Sequence, residues 1–173
     1  MIALGSGRAE ARDIKGRSTF AGTFLTARID LNNDGNLASW STAAVKSNLG
    51  RRTSQGVVER ARVDLPTGKC PAGQLEFTLV AGRFVNTFTQ KAKVKDQLFA
   101  ELTSSTQCID PATGAFSGND TGTVIGGTGK FAGATGSFEQ SFTGFILLFD
   151  PDPESKQSFG SFTGESTGTL TLP

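Results

Sequence analysis

The stretch Val124-Ile125-Gly126-Gly127-Thr128-Gly129-Lys130-Phe131-Ala132-Gly133-Ala134-Thr135-Gly136-Ser137-Phe138 has two readings, a phosphate cradle and a tight turn between strands. A cradle needs a helix N-terminus to supply its amides. Lys130 to Phe138 is too rich in glycine and threonine for a stable helix, and the spacing and Lys-Ser/Thr ending of a nucleotide-binding loop are absent. The run is therefore read as a turn joining two strands.

The chain on either side supports an all-β reading. Gln55 to Leu65 alternates, with Val57, Glu59, Ala61, Val63 and Leu65 on one face, taken as the buried one. Gln74 to Phe88 sets Leu75, Phe77, Leu79 and Ala81 against Glu76, Thr78 and Val80; the phase changes near Gly82, where a bulge fits, and Phe84 and Phe88 then share a face. Lys91, Lys93, Lys95 and Asp96 form the solvated tip of a hairpin before the strand Gln97 to Ser105. Upstream, Ser18 to Asp30 is a strand ending in the turn Leu31 to Asn36, and Leu37 to Gly50 suits a strand or a short helix. Downstream, strands are expected at Ala115 to Asn119, Thr121 to Ile125, Gly136 to Asp150 and Gln157 to Leu172. Eight or nine antiparallel strands with little helix must close into a barrel or fold into a sandwich. The phrases FAGTF, KFAGATGSF and FGSFTG hint at self-similarity, with spacing too uneven for a solenoid.

The length of 173 residues suits one domain, read as a lead-in over 1–17 and a β domain over 18–173. Phe supplies 14 aromatics beside the single Trp40. Histidine and tyrosine are absent, which removes the commonest general base, the phenolic acid and any His-Cys zinc set. A formal charge of +1 offers no field to attract nucleic acid. No apolar run reaches the roughly 20 residues of a membrane span, and Met1 to Leu4 is too short for a signal peptide's apolar region. Cys70 and Cys108 flank turn-like segments and are either a disulfide or two buried thiols; their placement points to an oxidising compartment, secreted or periplasmic.

The segments GGTGKF and AGATGSF resemble the stretch that marks the allene oxide cyclase and dirigent superfamily. The resemblance extends over SQGVVE, CPAGQLEFTLVAGRFV, QLFAELTSSTQCIDPATGAFSG and SFGSFTGESTGTLT, from about Gly16 onward, and is nearest to a bacterial branch. It implies an eight-stranded antiparallel β-barrel in which the glycine-rich segment is structural, an apolar lumen without a cofactor, and a homo-oligomer. Plant members cyclise a fatty-acid epoxide or steer the coupling of phenolic radicals. Their catalytic residues do not carry over: the N-terminal segment of the cyclases finds no match, and a chain without Tyr or His departs from the dirigent lining.

The leading expectation is a secreted, cofactor-free barrel that holds a small apolar or aromatic molecule, with Val57, Phe77, Phe84 and Phe99 as candidate lining residues. An alternative is an enzyme steering cyclisation or coupling, in which Glu59, placed inward by the alternation, and its candidate partners Glu101 and Arg83 polarise the substrate. A third is a self-assembling structural protein with a solid lumen. Asp30, Asn32 and Asp34, followed by Gly35, open like a calcium loop, but Ser41 stands where an EF-hand has its closing Glu. An Asn-Asp-Gly hairpin explains the same residues.

Overall fold

Alternation of Phe and Gly with Ser, Thr and charged residues gives the long strands two unlike faces, and one sheet closed on itself buries the aromatic face without leaving an edge. The computed structural model describes residues 11–26, 29–30, 33, 35, 37–88, 96–149 and 157–173. The strands are β1 (Arg12–Thr26), β2 (Ser39–Ser47), β3 (Gly50–Arg62), β4 (Leu75–Phe88), β5 (Asp96–Ile109), β6 (Ala115–Gly127), β7 (Thr135–Phe149) and β8 (Ser158–Leu172). Each pairs antiparallel with the next and β8 returns to β1, closing an eight-stranded barrel. The eight-stranded barrel is thus the form taken, and the sandwich is not.

Several boundaries move. β1 begins at Arg12, inside the stretch read as a lead-in, because Arg12 to Gly16 pair with Leu172 to Gly168 of β8. Leu37 to Gly50 is built around strand β2, and the two strands expected over 115–125 are one, β6, running on to Gly127. The basic tip at Lys91, Lys93 and Lys95 lies outside the described residues.

The inward face explains the repeated Phe-Gly phrases. Phe20 and Phe24 of β1 pair with Gly164 and Gly160 of β8, Phe84 with Gly56, and Phe138 and Phe142 of β7 with Gly122 and Gly118 of β6. In each pair the ring lies over its glycine so closely that a Cβ would overlap it. Glycine here is the space into which a neighbouring aromatic folds, so a narrow barrel accommodates many rings. Phe20 and Phe162, Phe24 and Phe116, and Phe116 and Phe142 then meet edge to face, with centroids 5.6–6.2 Å apart.

The glycine-rich run closes one end. After β6, a single 3-10 turn (Gly129–Phe131) carries Phe131 beneath the barrel, where it packs with Phe88, Leu98, Ala134 and Leu170. The Phe88 and Phe131 rings are 4.6 Å apart. Gly129 takes a φ of 59° and sits against the Asp96 carboxylate, which accepts the Lys130 amide at 3.4 Å and pairs with the Lys130 ammonium at 3.8 Å. The run is therefore a stopper, in keeping with the turn reading and without a phosphate cradle.

At the other end Cys70 and Cys108 form a disulfide that ties the β3–β4 connection to the end of β5. Beside it the buried Glu76 accepts the Thr67 amide at 3.1 Å. The bond spans a sequence separation of 38 residues. Reduction should therefore lower the unfolding free energy by about 3–4 kcal/mol on a chain-entropy basis. Urea titrations with and without a phosphine reductant check this, and coincident curves would contradict it.

Among the described residues no helix is long and apolar enough to cross a membrane. The outward residues Glu139, Ser141 and Thr143 of β7 and Thr163, Glu165, Thr167 and Thr169 of β8 are exposed and polar, whereas Phe145, Leu147 and Leu148 toward the end of β7 are exposed and apolar.

Candidate lumen site

The inward residues enclose two joined chambers. One, of about 310 Å³, is walled by Phe24, Phe77, Phe116, Phe142 and Val58. The other, of about 140 Å³ and nearer the Phe131 stopper, is walled by Ala43, Val45, Leu98, Ala100 and Val124. Phe20, Ser41, Phe84, Gln140 and Phe162 line both and form the waist between them.

A polar cluster projects into the larger chamber. Arg60 of β3 donates from Nε to Ser105 Oγ at 2.7 Å and from one terminal nitrogen to both oxygens of Asp120 on β6, at 3.2 and 3.3 Å. Gln140 Nε2 of β7 donates to Asp120 Oδ2 at 2.8 Å. The Arg60 guanidinium also lies 5.5 Å over the Phe142 ring. The Arg60 and Asp120 side chains are 14 % and 2 % exposed, so the pair is almost wholly withdrawn from water. Four strands contribute to it, which makes it a property of the closed barrel.

Arg52 occupies the smaller chamber, where its Nε donates to Asn86 Oδ1 at 3.0 Å and a terminal nitrogen to Ser47 Oγ at 2.8 Å. Burial lowers its pKa to about 10, which leaves it charged at neutral pH.

Of the residues expected to line the lumen, Phe77 and Phe84 do so. Val57 and Phe99 do not. Lumen-lining Arg52, Ser54, Val58 and Arg60 set the inward phase of β3, so its inner face is opposite to the one chosen from the apolar count, and Leu65 is 83 % exposed. Phe99 falls between the inward Leu98 and Ala100 and pairs with Val85 on the outer face.

The three residues expected to do chemistry are corrected in the same way. Glu59 is fully buried, yet it falls between lumen-lining Val58 and Arg60 and takes the face opposite to them. Arg83 and Glu101 form an ion pair at 3.4 Å that lines, with Val57 and Trp40, a hollow on the outside of the barrel. Their side chains are 75 % and 41 % exposed, and a pair that open to water contributes about 0–1 kcal/mol.

The calcium-like run is described only in part. Asp30 Oδ2 accepts the Gly35 amide at 2.8 Å, while Asn32 and Asp34 lie outside the described residues. Among the described residues no cluster of three His, Cys, Asp or Glu side chains is placed to hold a metal ion.

Sequence reasoning missed Arg60, Asp120, Gln140 and Arg52. A signal was present in β6, where Phe116, Gly118, Asp120, Gly122 and Val124 share one face, so an acid stands among apolar and glycine positions. No known protein family, curated protein or solved structure matches this chain.

Proposed function

We propose that this protein is a cofactor-free binding barrel that holds a small, largely apolar or aromatic molecule in its lumen and works in an oxidising, secreted or periplasmic setting. The observation that carries the reading is the phenylalanine-walled pair of chambers, in which the Arg60–Asp120 pair supplies oriented polar groups against apolar walls. Each aromatic contact that a ligand desolvates adds to affinity without needing a reactive group. The Cys70–Cys108 bond supports the compartment. The eight-stranded closed barrel is compatible with the resemblance to the allene oxide cyclase and dirigent superfamily.

Native mass spectrometry after exposure to a panel of neutral and acidic aromatic and aliphatic compounds tests the reading. Retention of one compound per barrel is expected. Ser41→Phe, which fills the waist, should abolish retention while leaving the fold intact. A bare chain after the whole panel would refute lumen binding.

A second reading, an enzyme steering cyclisation or coupling, is favoured by the convergence of Arg60, Asp120, Ser105 and Gln140 on one chamber. Asp120 would then replace Glu59 as the acid facing the substrate. Conversion of the retained compound to a new mass in the same spectra distinguishes it from binding alone.

A further inference from the structure

The two lumen arginines differ in one respect. Arg60 is neutralised by Asp120. Arg52 has only neutral partners: its Nε donates to Asn86, one terminal nitrogen to Ser47 and the other to Ser18 at 3.5 Å, and among the described residues no carboxylate pairs with it. A guanidinium carries five N–H groups. These three bonds leave one free on each terminal nitrogen.

The position is sheltered as well as charged. The Arg52 guanidinium lies 5.4 Å over the Phe88 ring, which rests on the Phe131 stopper. Burial is the cause that pulls its pKa down to about 10. A desolvated cation with neutral partners is costly to maintain, and an anion brought to it offsets that cost. Carboxylate geometry matches a guanidinium with two donors to spare.

We infer that the lumen ligand is an organic acid, whose carboxylate is gripped by Arg52 at the stoppered end and whose apolar body lies along the waist of Phe20, Phe84 and Phe162. This rests on the lumen-binding reading above and narrows it to a charge class. The acid enters head first, because the stopper lies beyond Arg52 and the larger chamber lies on the other side of the waist. Asn86, Ser47 and Ser18 hold the guanidinium in place and are positioning residues.

Calorimetric titration near neutral pH with 2-naphthoate against 2-naphthamide, and decanoate against decanamide, tests the inference. In the unmodified protein the better-binding acid should exceed its amide by at least about tenfold, the order expected of a charge-assisted pair. Arg52→Gln should bring acid and amide to within about twofold of each other, chiefly by weakening the acid, and Arg52→Lys should keep part of the preference. If Arg52→Gln does not fold, Arg52→Lys decides, with a preference reduced at least about threefold expected for loss of the fork. Equal affinity of acid and amide in the unmodified protein, or a preference untouched by these substitutions, overturns the inference and leaves lumen binding standing. Binding of the amides with no binding of the acids does the same. Failure of all four probes to bind removes both.

Discussion

Gly118→Val is expected to destabilise the barrel by about 3 kcal/mol or more, at or above the upper end of the usual cost of overpacking. A Cβ at this position would meet the Phe142 ring and stand 2.7 Å from the carbonyl oxygen of Thr106. The ring has little room to retreat, since it packs edge to face with Phe116 at 6.2 Å and lies under the Arg60 guanidinium. The carbonyl belongs to β5 and is held by the barrel itself. Gly16→Ala is the matched control, because among the described residues only the Gly168 carbonyl oxygen, at 3.7 Å, lies near its added methyl. It should be neutral or stabilise by about 0.5 kcal/mol through the lower freedom of the unfolded chain. Urea unfolding of the two variants decides the matter. Equal stabilities would show that the lumen glycines are not there to make room for rings.

Asp120→Asn should cost about 3 kcal/mol, because it strips the counter-charge from a guanidinium that is only 14 % exposed. Ser105 and the ring of Phe142 still touch Arg60 in that variant, and neither carries a charge. The cost belongs to the exposed imbalance and not to the pair as such. Arg60→Met combined with Asp120→Leu should therefore recover stability to within about 1 kcal/mol of the starting protein, since an apolar replacement of both partners removes both desolvation penalties. Chemical denaturation of the two singles and the double gives the coupling directly. A loss below about 1 kcal/mol in Asp120→Asn would mean that water reaches the pair and that the chamber is wetter than its walls suggest.

Fold class was legible because its signals are local. Period-two alternation, Gly and Asp turns and the scarcity of helix formers each depend on a few adjacent residues. The phase change expected near Gly82 is also present: β3 and β4 slip register between Glu59 and Arg60, where Glu59 faces Ala81 and Arg60 faces Leu79. Which face turns inward is not a local matter. On β3 the outward face carries Val57, Ala61 and the buried Glu59, so counting apolar residues selects the wrong side. The inward face holds two arginines that are tolerable only because Asp120 of β6 and Asn86 of β4 come to meet them. Such partners are distant in sequence, and nothing in the vicinity of Arg52 or Arg60 announces them. The Phe-Gly phrases were visible, but their meaning lies in the register between neighbouring strands.

The β1–β8 seam has a consequence for how the molecule is made. Every other pairing joins strands that are neighbours in sequence, whereas Arg12 to Leu25 must find Leu172 to Phe159 across the whole barrel sequence. Synthesis can lay down the meander hairpin by hairpin, but until β8 emerges it remains an open ribbon with β1 and β7 as unpaired borders. The lumen, the Arg60–Asp120 pair within it and any affinity for a ligand come into being together at that late, non-local step. Nascent chains interrupted before β8 thus carry two unpaired strand borders and no enclosed lumen, and the last strand acts as the latch that removes both borders and seals the cavity at once.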